Sequence, residues 1–143
     1  MRIALTAAVV AWLAALSCWD ILERRLPNLL TLPGAAAILL GGALTGRGPA
    51  ALIGAAALTG VYLLVYLLAP AAMGAGDVKL AIGVGGLTGC FGIEAWFLAA
   101  LGASVLTALV AVLAVPRGKP TVPHGPSMCL AAACAVGPAL LTA

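Results

Sequence analysis

Two aspartates, Asp20 and Asp77, are the residues of this chain best suited to do chemistry. Asp77 lies in residues 73–80, where an acid and a base stand two residues apart behind two glycines in otherwise apolar surroundings. A carboxylate at the edge of hydrocarbon is costly, so an ionisable residue in such a place predicts a functional site. Asp20 begins the densest charged stretch, residues 20–28. It is the natural candidate for a partner.

Two carboxylates held close together in a partly dry site predict acid–base chemistry. They cannot both ionise easily, so one keeps its proton and the pair titrates as a unit. An aspartic protease uses this arrangement: the ionised member takes a proton from water, and the neutral member donates to the developing oxyanion. No metal or cofactor is required. Gly74 and Gly76, which lack side chains, would let the backbone approach a substrate closely.

A purely structural interpretation of the same residues stays open at this point. Asp20 could cap a helix or pair with Arg24, and Asp77 could pair with Lys79, because charged groups at helix ends reach water cheaply. Glu23 is interpreted as a solvated loop charge. No serine–histidine–acid or cysteine–histidine set is evident, and we interpret the single histidine, His124, as an interface residue.

Composition sets the environment in which these residues must work. Of 143 residues, 64% are apolar and 8% are charged, whereas about a quarter of residues are charged in soluble proteins. We therefore predict one all-α, polytopic membrane domain over residues 1–143. The net charge of +3 is too small and scattered to indicate nucleic-acid binding. Four cysteines without a CxxC pair indicate neither a zinc site nor a disulfide framework.

Apolar runs and breaks divide the chain into about six transmembrane helices. Pro27 disfavours helical geometry in the residue before it, and Asn28 is expected to cap the second helix. The fourth helix is short and rich in glycine, so a re-entrant or strongly tilted segment is the alternative there. The predicted spans are residues 3–19, 29–45, 50–69, 80–93, 95–115 and 127–141.

Charge and crossing parity predict a topology. The loops after the first, third and fifth helices hold five basic residues: Arg24, Arg25, Lys79, Arg117 and Lys119. The other side holds Arg2 and Arg47. The positive-inside rule then places the odd loops in the cytoplasm and the N-terminus outside. Whatever the orientation, two crossings separate Asp20 from Asp77, so both acids lie at one membrane surface. The loop at residues 123–126 joins them if the fourth helix spans.

Three separated segments resemble one family. Residues 74–79 (Gly-Ala-Gly-Asp-Val-Lys) resemble the GxGDxK motif of the type IV prepilin peptidases, which are intramembrane aspartic proteases. Residues 20–31, in which Asp20 precedes Leu26-Pro27-Asn28, are similar to the family's first-aspartate segment. Residues 122–126 (Val-Pro-His-Gly-Pro) resemble its later proline–glycine–proline loop.

The resemblance implies a role for each matching residue. Asp20 and Asp77 match the two catalytic aspartates. The surrounding motif residues would form the loops that bind substrate: Pro27, Asn28, Gly74, Gly76, Lys79, Gly125 and Pro126. Lys79 is also expected to anchor the fourth helix at the cytoplasmic surface.

The family's activity implies cleavage of the leader peptide of a prepilin or pseudopilin at the cytoplasmic face of a bacterial inner membrane. Pilus-assembly or type II secretion machinery would then be a further partner, besides the lipid bilayer. Larger members carry an N-terminal segment with paired cysteines, associated with N-methylation. This chain starts at its first helix, so it is similar to the short, peptidase-only branch that serves Flp/Tad-type pili, and no methyltransferase activity is expected.

Two other functions remain as alternatives. The first is a small ion-coupled carrier, because membrane carboxylates also bind protons and cations. A carrier would place its acids near the bilayer midplane and show internal repeats, whereas both acids here lie beside charged loops and no repeat is visible. The second is a catalytically inactive scaffold for pilus assembly. The sequence does not separate the scaffold from the enzyme.

Overall fold

The architecture is a bundle of α-helices. We describe a computed structural model that covers residues 2–118 and 121–142; Lys119, counted above for orientation, lies outside the described residues. The helices are α1 (Arg2–Glu23), α2 (Asn28–Leu44), α3 (Gly48–Leu68), α4 (Ala75–Cys90), α5 (Ile93–Ala114) and α6 (Gly125–Thr142), and a short 3₁₀ turn, Val115–Arg117, follows α5. The prediction of an all-α protein is confirmed.

The outer helices have the length and composition of membrane spans. Large apolar side chains such as Leu29, Leu68 and Ile93 are well exposed on the surface of the bundle, as expected for a protein whose solvent is lipid. Asn28–Leu44 is apolar but shorter. Over the described part of the chain, four helices are long and apolar enough to cross a membrane: Ile3–Glu23, Gly48–Leu68, Ile93–Arg117 and Gly125–Thr142.

Helix α4 lies at the centre of the bundle. It packs most extensively against α3 and also contacts α2, α5 and α6, and Leu80–Gly89 is buried apart from the half-buried Ile82. The helix begins at Ala75, five residues before the predicted start, and is continuous to Cys90. The glycines therefore do not interrupt the helix, and the alternative of a re-entrant or strongly tilted segment stays a prediction. Asp77 lies in the first helical turn instead of in a loop.

The glycines of α4 allow the backbones of α3 and α4 to touch. A Cβ atom at Gly85 would lie 2.5 Å from the carbonyl oxygen of Gly54, and one at Gly89 would lie 2.6 Å from that of Ala50. Gly85 and Gly89 are four residues apart in α4, and their partners Ala50 and Gly54 are four residues apart in α3. This is the spacing with which small residues line close helix–helix contacts in membranes. The residues that weaken the helical pattern in the sequence are thus the ones that permit this packing.

The turn between α1 and α2 departs from the prediction at one residue. Helix α1 continues past Asp20 to Glu23, and Arg24 has a left-handed backbone with φ 51°. Pro27 takes the N-cap position of α2 in an extended conformation, and no side chain caps the helix. The prediction that Asn28 caps α2 is wrong, because Asn28 is already the first residue of the helix.

Helix α6 brings the end of the chain back to its beginning. It packs against α5 and against α1. The first residue of α6, Gly125, lies beside Asp20 near the end of α1. The contact between these two helices therefore determines what surrounds Asp20.

Candidate active site

A cavity of about 310 Å³ opens where α1 ends and α4 begins. Both Asp20 and Asp77 line it, and the basic residues Arg24, Arg25 and Lys79 share its wall. The two acids come from different helices with α2 and α3 between them in the chain, so the fold brings them to the same end of the bundle. This is the placement that crossing parity requires.

Asp20 is held by the backbone at the start of α6. Its side chain is buried, and Oδ2 accepts a hydrogen bond from the backbone N–H of Gly125 at 3.0 Å. A Cβ atom at residue 125 would lie 2.5 Å from the same oxygen, a distance that real Cβ atoms do not adopt, so the contact requires glycine. A backbone donor of this kind favours the ionised form of a carboxylate.

The expected alternative partner of Asp20 is engaged elsewhere. The guanidinium of Arg24 donates one hydrogen bond to the hydroxyl of Thr121 and another, at 3.3 Å, to the carbonyl oxygen of Thr121. Arg24 therefore ties the end of α1 to the loop before α6. Its charge acts on Asp20 from a distance, and its hydrogen bonds go to Thr121.

Asp77 lies half-buried in the first turn of α4, where its backbone N–H donates to the carbonyl oxygen of Gly74 at 3.1 Å. It is outside the four candidate spans. Burial, with a further contribution from the charge of Asp20, raises the pKa of Asp77 to about 6, and a backbone hydrogen bond at Gly74 opposes this shift. The neighbouring charge that raises the pKa of Asp77 belongs to Asp20, so the two carboxyl groups are coupled.

Lys79, the other basic candidate for pairing, bonds to α2. Its ammonium donates to Oδ1 of Asn28 at 2.8 Å. Asn28 therefore receives a hydrogen bond from α4, although it does not cap its own helix. The predicted role of Lys79 as a surface anchor gains a defined partner, which fixes the start of α4 against the start of α2.

The remaining predicted site residues divide into two groups. Gly74 is the N-cap of α4 and lines the cavity with Gly76. A Cβ atom at Gly76 would lie 3.2 Å from Cβ of Leu26, so Gly76 permits close packing against the α1–α2 turn. The second group is not among the residues that line the cavity, and its members build the adjoining turns: Pro27, Asn28, Gly125 and Pro126.

Sequence reasoning missed a polar cluster beside this site. His124 was interpreted as an interface residue, yet Nε2 of its ring lies 2.7 Å from the hydroxyl of Tyr62, and Nδ1 lies 2.5 Å from Oγ1 of Thr107. The only signal in the sequence was the position of His124, one residue before Gly125. The hydroxyls come from two different helices, and nothing in their spacing connects them.

The described residues do not gather a cluster of metal ligands. Across residues 2–118 and 121–142, no group of three or more histidine, cysteine, aspartate or glutamate side chains is placed to hold a metal ion. The charged side chains that line the cavity are the two carboxyls and three basic groups.

Comparison with known protein families gave a match over most of the chain. The model of the type IV leader peptidase family matches residues 7–112, a segment that contains both aspartates and the motif around Asp77 and ends before His124. Searches of curated proteins and of solved structures gave no match. Since the family model covers well over half of the chain, this membrane protein belongs to the type IV leader peptidase family.

Proposed function

We propose that this chain is an aspartic endopeptidase that removes the leader peptide from type IV prepilins, with Asp20 and Asp77 as its catalytic dyad. The observation that carries the proposal is that both carboxyl groups line one cavity while the side chains of Arg24 and Lys79 bond elsewhere. Two acids whose charges act on each other titrate as a pair, and a pair that holds one proton is the state that activates water in aspartic proteases.

The surroundings of the two acids favour different roles. Asp20 accepts the Gly125 N–H, a backbone donor that partly offsets the cost of burying an ionised carboxylate, and we assign the role of base to Asp20. Asp77, with its pKa raised to about 6, holds the shared proton and acts as the acid. The assignment follows the general rule that environments which separate two titrating groups also separate their roles.

The reaction proceeds in two proton-balanced steps. Asp20 takes a proton from water as the oxygen attacks the scissile carbonyl, and Asp77 gives its proton to the developing oxyanion. On collapse of the tetrahedral intermediate, Asp20 donates its proton to the leaving amine and Asp77 recovers one from a hydroxyl of the intermediate. The C–N bond breaks, and both carboxyl groups return to their starting state.

We place the cavity at the cytoplasmic face of a bacterial inner membrane, with the N-terminus of the chain outside. The support is electrostatic: Arg24, Arg25 and Lys79 all lie at the cavity, and basic residues near span ends favour the cytoplasmic side. A prepilin presents its leader junction where a soluble segment meets a hydrophobic helix. A cavity at the end of the helix bundle is suited to such a bond.

The family description supports a leader peptidase in general, and we propose a Flp-type prepilin or pseudopilin as the substrate. The three family motifs, at residues 20–31, 74–79 and 122–126, support a prepilin-type substrate. The machinery that assembles the processed pilin, of a pilus or of a type II secretion system, would be the downstream partner.

The test is co-expression with an epitope-tagged candidate Flp-type prepilin, followed by separation of precursor and mature forms. Asp20→Asn and Asp77→Asn should each lower processing by at least about a thousandfold, as removal of a catalytic group does. Glu23→Gln is the matched control, because Glu23 lies one turn from Asp20 at the exposed end of α1; it should process normally. Normal processing by either aspartate variant would disprove the dyad.

The two alternatives give different outcomes in the same strains. A scaffold would support pilus assembly equally well with Asp20→Asn or Asp77→Asn in place. A carrier would leave the prepilin uncut and show proton or cation flux in proteoliposomes that depends on both acids.

A further inference from the structure

His124 is the only histidine of the chain, and both nitrogens of its ring are engaged. Nε2 meets the hydroxyl of Tyr62 in α3 at 2.7 Å, and Nδ1 meets the hydroxyl of Thr107 in α5 at 2.5 Å. The ring also lies against the phenol of Tyr62, with centroids 5.5 Å apart. The imidazole therefore bridges α3 and α5.

The chemistry of the ring defines the hydrogen bonds. Burial lowers the pKa of His124 below its ordinary value, so the ring is neutral near pH 7 and has one N–H donor and one acceptor nitrogen. One of the two hydroxyls must then donate to the ring while the other accepts from it. With both nitrogens used, neither rotation nor a flip of the ring preserves the contacts, and the orientation of His124 is fixed.

The backbone of His124 leads directly to the site. Its carbonyl oxygen accepts a hydrogen bond from the N–H of Met128 at 3.1 Å in the first turn of α6. The next residue, Gly125, donates its N–H to Oδ2 of Asp20. On the other side, Tyr62 is buried and lies within the range of the charge of Asp77. The cluster thus connects the surroundings of the two acids.

We propose that His124 is a positioning residue: Tyr62 and Thr107 hold its imidazole so that the following peptide N–H stays directed at Asp20. The inference rests on the proposed peptidase function of the Asp20–Asp77 pair. It assigns to His124 a role in catalysis through the backbone, without contact with the substrate. It also assigns a role to two hydroxyls that lie on helices remote from Asp20 in the chain.

A cluster that only stabilised the fold would lower the amount of folded enzyme without changing turnover by each folded molecule. A positioning cluster lowers kcat and leaves KM nearly unchanged, because the substrate still binds while the carboxylate is misplaced. The experiment therefore measures two things separately: the contact, which is the pair of hydrogen bonds to the His124 ring, and its consequence, which is the rate of prepilin cleavage. Both are measured on the whole chain, purified with a tag that contains no histidine.

The contact is measured by NMR of protein labelled with ¹⁵N-histidine in detergent micelles. A single histidine gives a single pair of ring signals, and their shifts report the tautomer and the hydrogen bond at each nitrogen. Tyr62→Phe should change mainly the Nε2 signal, and Thr107→Val mainly the Nδ1 signal. Tyr66→Phe, one turn along α3, and Ser104→Ala, whose hydroxyl bonds within its own helix at Ala100, are matched controls and should change neither.

The consequence is measured as steady-state cleavage of a purified Flp-type prepilin. Tyr62→Phe and Thr107→Val should each lower kcat about tenfold and shift KM by no more than about twofold, since a small misplacement of a reacting group is costly. His124→Leu should lose more, about a hundredfold. His124→Asn, which restores one donor and one acceptor, should recover part of that loss. Both controls should cleave normally.

Each outcome decides the inference. Altered ring signals with lowered kcat, together with partial rescue by asparagine, support it. Altered ring signals with unchanged kcat overturn it and leave the dyad standing, and unchanged ring signals in Tyr62→Phe overturn the contact itself. If His124→Leu fails to fold, the two hydroxyl deletions still decide the question. A wild-type protein that shows the ring contacts but cleaves no prepilin overturns the peptidase function, and the positioning role with it.

Discussion

The backbone N–H of Gly125 donates to Oδ2 of Asp20 at 3.0 Å, across a separation of 105 residues in the chain. This bond closes the bundle, since it joins the end of the first helix to the start of the last. It also gives the Asp20 carboxylate a hydrogen bond from the backbone at the start of α6. The absence of a side chain at residue 125 is what allows the approach.

Gly125→Ala should abolish leader cleavage while leaving the protein folded. The added methyl group would lie 2.5 Å from the carboxylate oxygen, so either Asp20 or the start of α6 must move, and misplacement of a reacting group costs about a hundredfold or more in rate. Gly137→Ala in the same helix is the control, because a Cβ atom there meets open space. Prepilin processing and thermal melting in detergent check the pair. Cleavage by Gly125→Ala at the rate of the control would show that Asp20 does not need this contact.

In the wild type, the carboxyl group of Asp77 should lose its proton near pH 6. In the Asp20→Asn variant, the same group should lose its proton at a lower pH. In the wild type, burial and the charge of Asp20 both hold the proton on Asp77 and raise its pKa to about 6. Removal of the Asp20 charge leaves burial, the larger cause, opposed by the backbone hydrogen bond at Gly74, so the midpoint should fall but stay above the ordinary value of 3.8. Carbodiimide labelling of protonated Asp77 across a pH series, read by mass spectrometry, gives both midpoints.

The same titration predicts the pH dependence of cleavage. Because the proposed acid is the protonated form of Asp77, the rate should decline as the pH rises through and beyond the labelling midpoint. A midpoint unchanged by Asp20→Asn would show that the two carboxyl groups are not coupled. Asp77→Asn provides the background for labelling elsewhere in the chain.

Gly85→Ala should destabilise the bundle by about 1–3 kcal/mol, the usual cost of overpacking. The new methyl group would lie 2.5 Å from the carbonyl oxygen of Gly54, and neither backbone can yield without separating α3 from α4. Gly60→Ala in α3 is the control, because a Cβ atom there meets nothing within 4 Å; it should be neutral or stabilising by up to about 1 kcal/mol. Unfolding in mixed micelles containing SDS measures both. Equal stability of the two variants would contradict the close contact.

Lys79 and Asn28 should behave as a coupled pair. The bond between the Lys79 ammonium and the Asn28 side chain predicts that Lys79→Met and Asn28→Ala are not additive, with an interaction energy of about 1 kcal/mol for an exposed, charge-assisted bond. A lysine that only anchors the helix at the membrane surface would give additive effects. Arg117→Met is the control. Its effect should add to that of Asn28→Ala, because the Arg117 side chain bonds to the carbonyl oxygen of Leu113, one turn earlier in the same segment.

The convergence of Asp20 and Asp77 could be predicted because it needs only a count of membrane crossings. The composition was likewise sufficient for the all-α class. Helix α4 was harder: glycines and a break at residues 70–76 indicate a loop, and local propensity is weak. In the folded protein the same glycines permit backbone contact with α3, and tertiary packing outweighs propensity. Asn28 was misassigned for a related reason, because its partner lies on another helix.

The His124 cluster could not be predicted from the sequence. Tyr62 and Thr107 are single polar residues on two long apolar helices, and their rotation about the helix axes decides whether they face a neighbour or lipid. That rotation depends on packing between α3, α5 and α6. A histidine beside a glycine in a proline-rich loop carries no periodic signal that would reveal it.

The central position of α4 has a consequence for how the protein responds to its bilayer. At 16 residues the helix is about 24 Å long, shorter than the hydrocarbon thickness of about 30 Å. Between residues 80 and 89 the surface of α4 is largely buried against other helices. The thickness of the bilayer therefore does not act directly on α4. Hydrophobic mismatch is taken up by tilting of the outer helices. The depth of Asp77 is therefore fixed by the backbone contacts that Gly85 and Gly89 of α4 make with α3, and it should stay constant in membranes of different thickness.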